Sequence, residues 1–289
     1  MKKELIFAIT ASMLLPITVV AKDNMHNSHY VVSDKVIAEQ RAALAKNTNG
    51  QGFGPQSPRD IDSVEGSNPI IFSDAPVSQK MNLCNIHFHK NAEHKGGEFT
   101  IYAGNGDGHG FGSGYKYSGK LSDKEIKSVG NNICLSEHGS LNSGDTIEVH
   151  YVYSTAMVQP GPTLGSCLND SINNPQLRVE TQVYVLVNNT DGLNFNTLTQ
   201  YDRINDFYQA VNIPSNTGKP IQYSGSTTGP SYNEKGSPFQ VTWNVRPKVS
   251  KVNIESVGKW CESNIFKEDH AHGVRNLVTN SQLISNIIQ

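Results

Sequence analysis

Two short stretches of this chain carry side chains able to hold a metal. Cys84-Asn85-Ile86-His87-Phe88-His89-Lys90 reads as a β-strand, in which successive side chains point to opposite faces. His87 and His89 then share one face, while Ile86 and Phe88 point into whatever packs behind. Ile147-Glu148-Val149-His150-Tyr151-Val152 alternates in the same way, with Glu148, His150 and Val152 together. If the second strand pairs beside the first, His150 brings a third nitrogen to the same point. Three histidines with an open fourth position form the ligand set of a catalytic zinc, because a structural site fills all four positions from protein. The competing reading is a polar strand face with two exposed histidines and an unrelated third.

The chain around these strands has 289 residues, with 24 Lys and Arg against 26 Asp and Glu and a formal net charge of -2. That balance supplies no basic field for nucleic acid. Met1 to Ala21 has a charged start, an apolar run from Leu5 to Val20 and small residues at its end, which predicts a signal peptide over 1–21. No other run is long and apolar enough to cross a bilayer, so the expected product is exported, periplasmic or secreted, without a membrane span. In an oxidising compartment, Cys84, Cys134, Cys167 and Cys261 predict two disulfides in one of three pairings. Strand parity turns Cys84 away from the histidine face, into the backing layer, if the strand stays regular that far.

Residues 22–50 read as a polar segment and a short helix, capped by Ser33 and carried by Val36, Ile37, Ala38, Leu44 and Ala45. Residues 51–289 read as one domain. Strands are expected at 98–102, 146–153, 179–187, 221–224, 239–246 and 249–254, with few helices and no regular strand-helix alternation. The fold class is therefore mainly β (α+β), a single domain with a large, mostly antiparallel central sheet and short surface helices. Glycines at 104, 106, 108, 110, 112 and 114 lack the ending of a phosphate loop and predict a flexible loop carrying His109.

Four collinear stretches resemble the α-type carbonic anhydrases, and over its whole length the chain resembles the δ class more closely. They are Gln56-Ser57-Pro58-Arg59-Asp60-Ile61, then Asn85 to His89 with Ala92-Glu93-His94, then Glu148 to Val152. The fourth is Tyr223-Ser224-Gly225-Ser226-Thr227-Thr228-Gly229-Pro230 with Val241-Thr242-Trp243. The tail, Trp260 to Asn264 and Glu268 to Arg275, is similar to the δ class. The chain departs from the α type at Asn85, where Gln is expected, at Gly229, and in the separation of about sixty residues between His89 and His150, which is much longer than in the α type and holds the glycine run and Cys134.

The resemblance implies an α-carbonic-anhydrase-like fold and reversible hydration of CO2 to bicarbonate and a proton by a zinc-bound hydroxide. It implies His87, His89 and His150 as ligands of one Zn2+ per chain, with Asn85 and Glu148 accepting from the free N–H groups of His87 and His150. Thr227 is implied to accept from the hydroxide and to donate to Glu93. Val152, Thr228 and Trp243 are implied to line the substrate pocket. The usual proton-shuttling histidine has no clear counterpart, and His109 and His94 are the candidates. Two other readings are a carbonic-anhydrase-like binding module without turnover and an envelope zinc-binding protein. The first typically loses a ligand histidine, and all three are present here.

Overall fold

The computed structural model describes residues 31–288; the expected leader, 1–21, lies outside them. Strand β1, Asn82–Lys90, runs antiparallel to β2, Thr146–Ser154, and sets His87 directly opposite His150. Next comes β3, Leu177–Val187, antiparallel to β2. The sheet is completed by β4, Ile221–Ser226, and β5, Gln240–Asn253, in the order β1-β2-β3-β5-β4. All neighbours are antiparallel except β3 and β5, which run parallel. The central sheet is therefore mixed, within the mainly β, single-domain class expected.

Alternation along the strands sorts residues between two layers. Ile86 and Phe88 of β1 and Ile147, Val149, Tyr151 and Tyr153 of β2 pack with Phe195 and Trp260 in one core. Val152, Val179, Val241 and Trp243 pack on the other side of the sheet. Every residue of β2 is buried, and each large apolar side chain removed from water in this way contributes about 1.5–3 kcal/mol. The histidine face thus lies beneath a covering layer, not at an open surface.

Cys84 corrects the parity argument. The pairing of β1 with β2 slips between Leu83 and Asn85, and a bulge of this kind shifts a strand's inside and outside by one residue. Leu83 therefore joins the core of Ile86 and Phe88, whereas Cys84 joins Val152 and Trp243. There it is bonded to Cys167, and the second disulfide joins Cys134 to Cys261.

Helix α1, Asp34–Thr48, follows Ser33 as expected, although the Ser33 side chain makes no cap bond. Helix α2, Ile254–Glu262, continues directly from β5. The strand expected at 249–254 is the far end of β5, which is irregular between Val245 and Val249. A helix signal was present there: Asn253 caps the Ser256 N–H at 3.0 Å, and Ile254, Val257, Trp260 and Cys261 bury one face. The strand expected at 98–102 shortens to Ile101–Tyr102, paired with Tyr115–Lys116.

The glycine-rich segment is tied down. The Gly106, Gly108 and Gly110 carbonyls accept from Val32 N at 2.9 Å, Gln40 Nε2 at 2.8 Å and Val274 N at 2.9 Å. At Gly110, φ is 102°, and a Cβ would come within 2.6 Å of the Val274 carbonyl oxygen, so only glycine fits.

Candidate metal centre

The bulge-free part of β1 and the facing segment of β2 bring His87, His89 and His150 together. Ring centroids lie 5.2 Å (His87–His89), 5.0 Å (His87–His150) and 4.8 Å (His89–His150) apart. One nitrogen from each lies within 4.8 Å of the others. The remaining nitrogens all face oxygen. His87 Nδ1 lies 2.6 Å from Asn85 Oδ1, His89 Nδ1 lies 2.9 Å from the Gly273 carbonyl, and His150 Nε2 lies 2.7 Å from Glu148 Oε1.

Those acceptors decide the tautomers. Each outer nitrogen carries hydrogen, so His87 Nε2, His89 Nε2 and His150 Nδ1 present lone pairs inward. His89 Nε2 is buried with no hydrogen-bond partner, and His87 Nε2 stands only 3.2 Å from His150 Nδ1. Lone pairs so arranged repel one another and fit a cation. Protonation is disfavoured: burial first, then the neighbouring histidines, pushes His89 down to about 4 and His87 well below its usual range. The three residues therefore suit a borderline-soft divalent ion that takes neutral imidazoles, of which zinc is the commonest.

Asn85 reaches His87 despite its short side chain because its own amide is anchored: Nδ2 donates to the Gly161 carbonyl at 3.0 Å. Glu148 is gripped from three sides, Oε1 by His94 Nδ1 and His150 Nε2, each at 2.7 Å, and Oε2 by the His94 backbone N–H at 3.1 Å. Burial alone would raise its pKa, but the His94 and His150 rings outweigh it and hold the carboxylate well below its usual range.

Glu93 is buried beside the triad. Its Oε1 accepts the Arg275 backbone N–H at 3.1 Å, and its Oε2 has no partner. The expected bond from Thr227 to Glu93 is not made; Thr227 Oγ1 instead pairs with Ser237 Oγ at 2.5 Å. Val152, Thr227, Thr228 and Trp243 line a cavity of about 350 Å³ above the three histidines. Phe111, Leu164, Leu177, Val179 and Val241 complete a largely apolar wall that sequence reasoning missed.

Neither shuttle candidate lines the cavity. His94 is fully buried, with its second ring nitrogen 2.7 Å from the Tyr223 hydroxyl, so it is a fixed strut. His109 is exposed and does not line the cavity. Besides the three converging histidines, His272 lines the cavity; its ring lies 5.7 Å from His87 and its Nε2 faces Glu268 Oε2 at 2.6 Å. Burial would lower its pKa, but Glu268 raises it overall.

Against known proteins, the sequence model of the family described as delta carbonic anhydrase matches residues 78–256. No curated protein matches the chain. Similar solved structures include the α-carbonic anhydrase of Thermovibrio ammonificans with sulfanilamide, at 14% identity and a TM-score of 0.26, covering 77% of this chain and 84% of that one. Another is a Chlamydomonas reinhardtii carbonic anhydrase with acetazolamide, at 15% identity and a TM-score of 0.29, covering 80% and 88%. Likenesses this slight carry no argument of their own. The family match stands by itself: it spans more than half of the 289 residues, and the chain belongs to the delta carbonic anhydrase family.

Proposed function

We propose that this protein is an exported, zinc-dependent carbonic anhydrase that interconverts CO2 and bicarbonate. The observation that carries the reading is the inward convergence of three lone pairs, one of them the buried and unpartnered His89 Nε2, with every outer nitrogen donated to oxygen. His87, His89 and His150 would hold one zinc. When bound, zinc supplies Lewis acidity that lowers the pKa of a coordinated water to about 7.

The chain's own residues do the rest. Asn85, Glu148 and the Gly273 carbonyl fix the imidazoles, so no reorganisation accompanies turnover. Val152, Val179, Val241 and Trp243 offer CO2, which has no charge and no donor, an apolar surface that excludes water. Thr227 and Thr228 offer hydroxyls at the cavity wall, Thr227 for the reacting oxygen and Thr228 for the product, and Glu93 supplies a buried carboxylate beside the histidines. The two disulfides support an oxidising compartment.

Stopped-flow CO2 hydration on metal-loaded protein, with and without a chelator, tests the reading, alongside elemental analysis. One zinc per chain and loss of both zinc and turnover in His150→Asn are expected. Hydration that survives complete metal removal would refute it.

A further inference from the structure

Ser237 was not singled out by any sequence motif, yet it is the partner of Thr227. It is fully buried. The Gln56 side chain clamps its backbone from both sides: Ser237 N donates to Gln56 Oε1 at 2.8 Å, and Gln56 Nε2 donates to the Ser237 carbonyl at 3.1 Å. Gln56 Oε1 also accepts from Arg275 Nη2 at 3.3 Å, and the backbone N–H of Arg275 donates to Glu93 at 3.1 Å. One frame thus holds both the hydroxyl pair and the carboxylate.

Hydrogen counting assigns the direction of the Thr227–Ser237 bond. A hydroxyl has one hydrogen and two lone pairs. Ser237 Oγ has Thr227 Oγ1 as its hydrogen-bond partner and sits away from water. Were Thr227 the donor, the Ser237 hydrogen would be left buried without an acceptor, the arrangement that folded proteins avoid. Were Ser237 the donor, its hydrogen is satisfied, and the Thr227 hydrogen, on a side chain that lines the cavity as Ser237 does not, is left free to turn to another acceptor; Glu93 Oε2 is buried without a partner, although Thr227 is not bonded to it in this structure.

We infer that Ser237 is a positioning residue for the reaction: it donates to Thr227, takes up one lone pair, and leaves Thr227 a single lone pair for the cavity. This deepens the proposed function and rests on it, because Thr227 must itself matter to turnover. A free Thr227 rotor would spend part of its time presenting hydrogen to the reacting oxygen, and turnover would fall without a change in how CO2 is held.

A double-mutant cycle on zinc-loaded protein tests this with Ser237→Ala, Thr227→Val and both together, measuring kcat, KM and zinc content. Ser237→Ala is expected to lower kcat roughly tenfold at unchanged KM and zinc, and to have no further effect in the Thr227→Val background. Equal losses in both backgrounds would mean that Ser237 acts through the fold and would overturn the proposal. So would full kcat in Ser237→Ala beside a slowed Thr227→Val, which leaves the carbonic anhydrase reading standing. Absence of zinc-dependent hydration in the unmodified protein would overturn both. A second measurement avoids activity altogether: in metal-free protein, NMR should show a slowly exchanging Ser237 hydroxyl proton in contact with the Thr227 methyl. A protected hydroxyl proton on Thr227 directed at Ser237 would reverse the assignment and overturn the proposal.

Discussion

Replacing Cys84 and Cys167 by alanine is expected to weaken zinc binding as well as the fold, whereas replacing Cys134 and Cys261 should weaken the fold alone. The two disulfides close stretches of 83 and 127 residues, so chain entropy gives upper figures of about 4.5 and about 5 kcal/mol, and the realised losses are expected near 2–4 kcal/mol each. On stability the two pairs are thus alike. They differ in what they hold. The Cys84 carbonyl accepts from Gly161 N at 3.0 Å, and the Gly161 carbonyl accepts from Asn85 Nδ2 at 3.0 Å. That bond turns Asn85 Oδ1 toward His87 Nδ1. If the segment from Gly161 to Cys167 drifts, the Asn85 amide is free to turn its donor toward a donor, and loss of such an outer partner costs roughly 10- to 100-fold in metal affinity. Cys134 and Cys261 lie in the core on the other side of the sheet. Zinc affinity by chelator competition, beside urea unfolding of both alanine pairs, decides the matter. Equal zinc affinities in the two variants would refute the argument.

Glu148→Gln keeps one acceptor oxygen for the rings but sets its NH2 against the His94 backbone N–H; zinc affinity should fall roughly tenfold, and nearer a hundredfold in Glu148→Ala, as chelator competition would read. The metal-free protein should lose stability as pH falls. His89 stays neutral in the native state down to about 4, whereas an unfolded histidine takes up a proton near 6.5, so its contribution is complete above about 6.5 and is lost between there and 4. That amounts to about 3 kcal/mol. Glu148, depressed instead, contributes fully above the ordinary carboxylate pKa and begins to lose its share only as pH falls through that value, at the bottom of the window and in the same direction. Urea titrations at pH 7.5 and 4.5 check the sign, and equal midpoints would contradict it. His109→Ala should leave turnover unchanged at low buffer, because the residue does not line the cavity. His94→Ala should lower both stability and zinc affinity, because it strips the ring donor from Glu148 and the partner from the Tyr223 hydroxyl; a low-buffer defect in the His109 variant would restore the shuttle idea.

Much of this site was legible from residue types, for a local reason. Strand alternation needs no knowledge of the rest of the chain, so the shared face of His87 and His89 and that of Glu148 and His150 follow from period two alone; the convergence of His150 needed the two strands to pair, and the outer roles of Asn85 and Glu148 came from the resemblance. Tertiary structure decided what alternation cannot carry. The bulge between Leu83 and Asn85 reversed the face of Cys84, because the slip depends on pairing with β2. The parallel pairing of β3 with β5 depends on a crossover, not on either strand. His272, not His109 or His94, came to line the cavity: the glycine run that carries His109 is held by α1 and the tail, and His94 is buried against Glu148 and Tyr223. The deepest gap concerns backbone groups. The acceptor for His89 is the Gly273 carbonyl, 184 residues away, and the donor to Glu93 is the Arg275 N–H, 182 residues away. Every residue owns a carbonyl and nearly every residue an N–H, so no side-chain type marks the ones that matter, and only folding brings them to the metal-binding face.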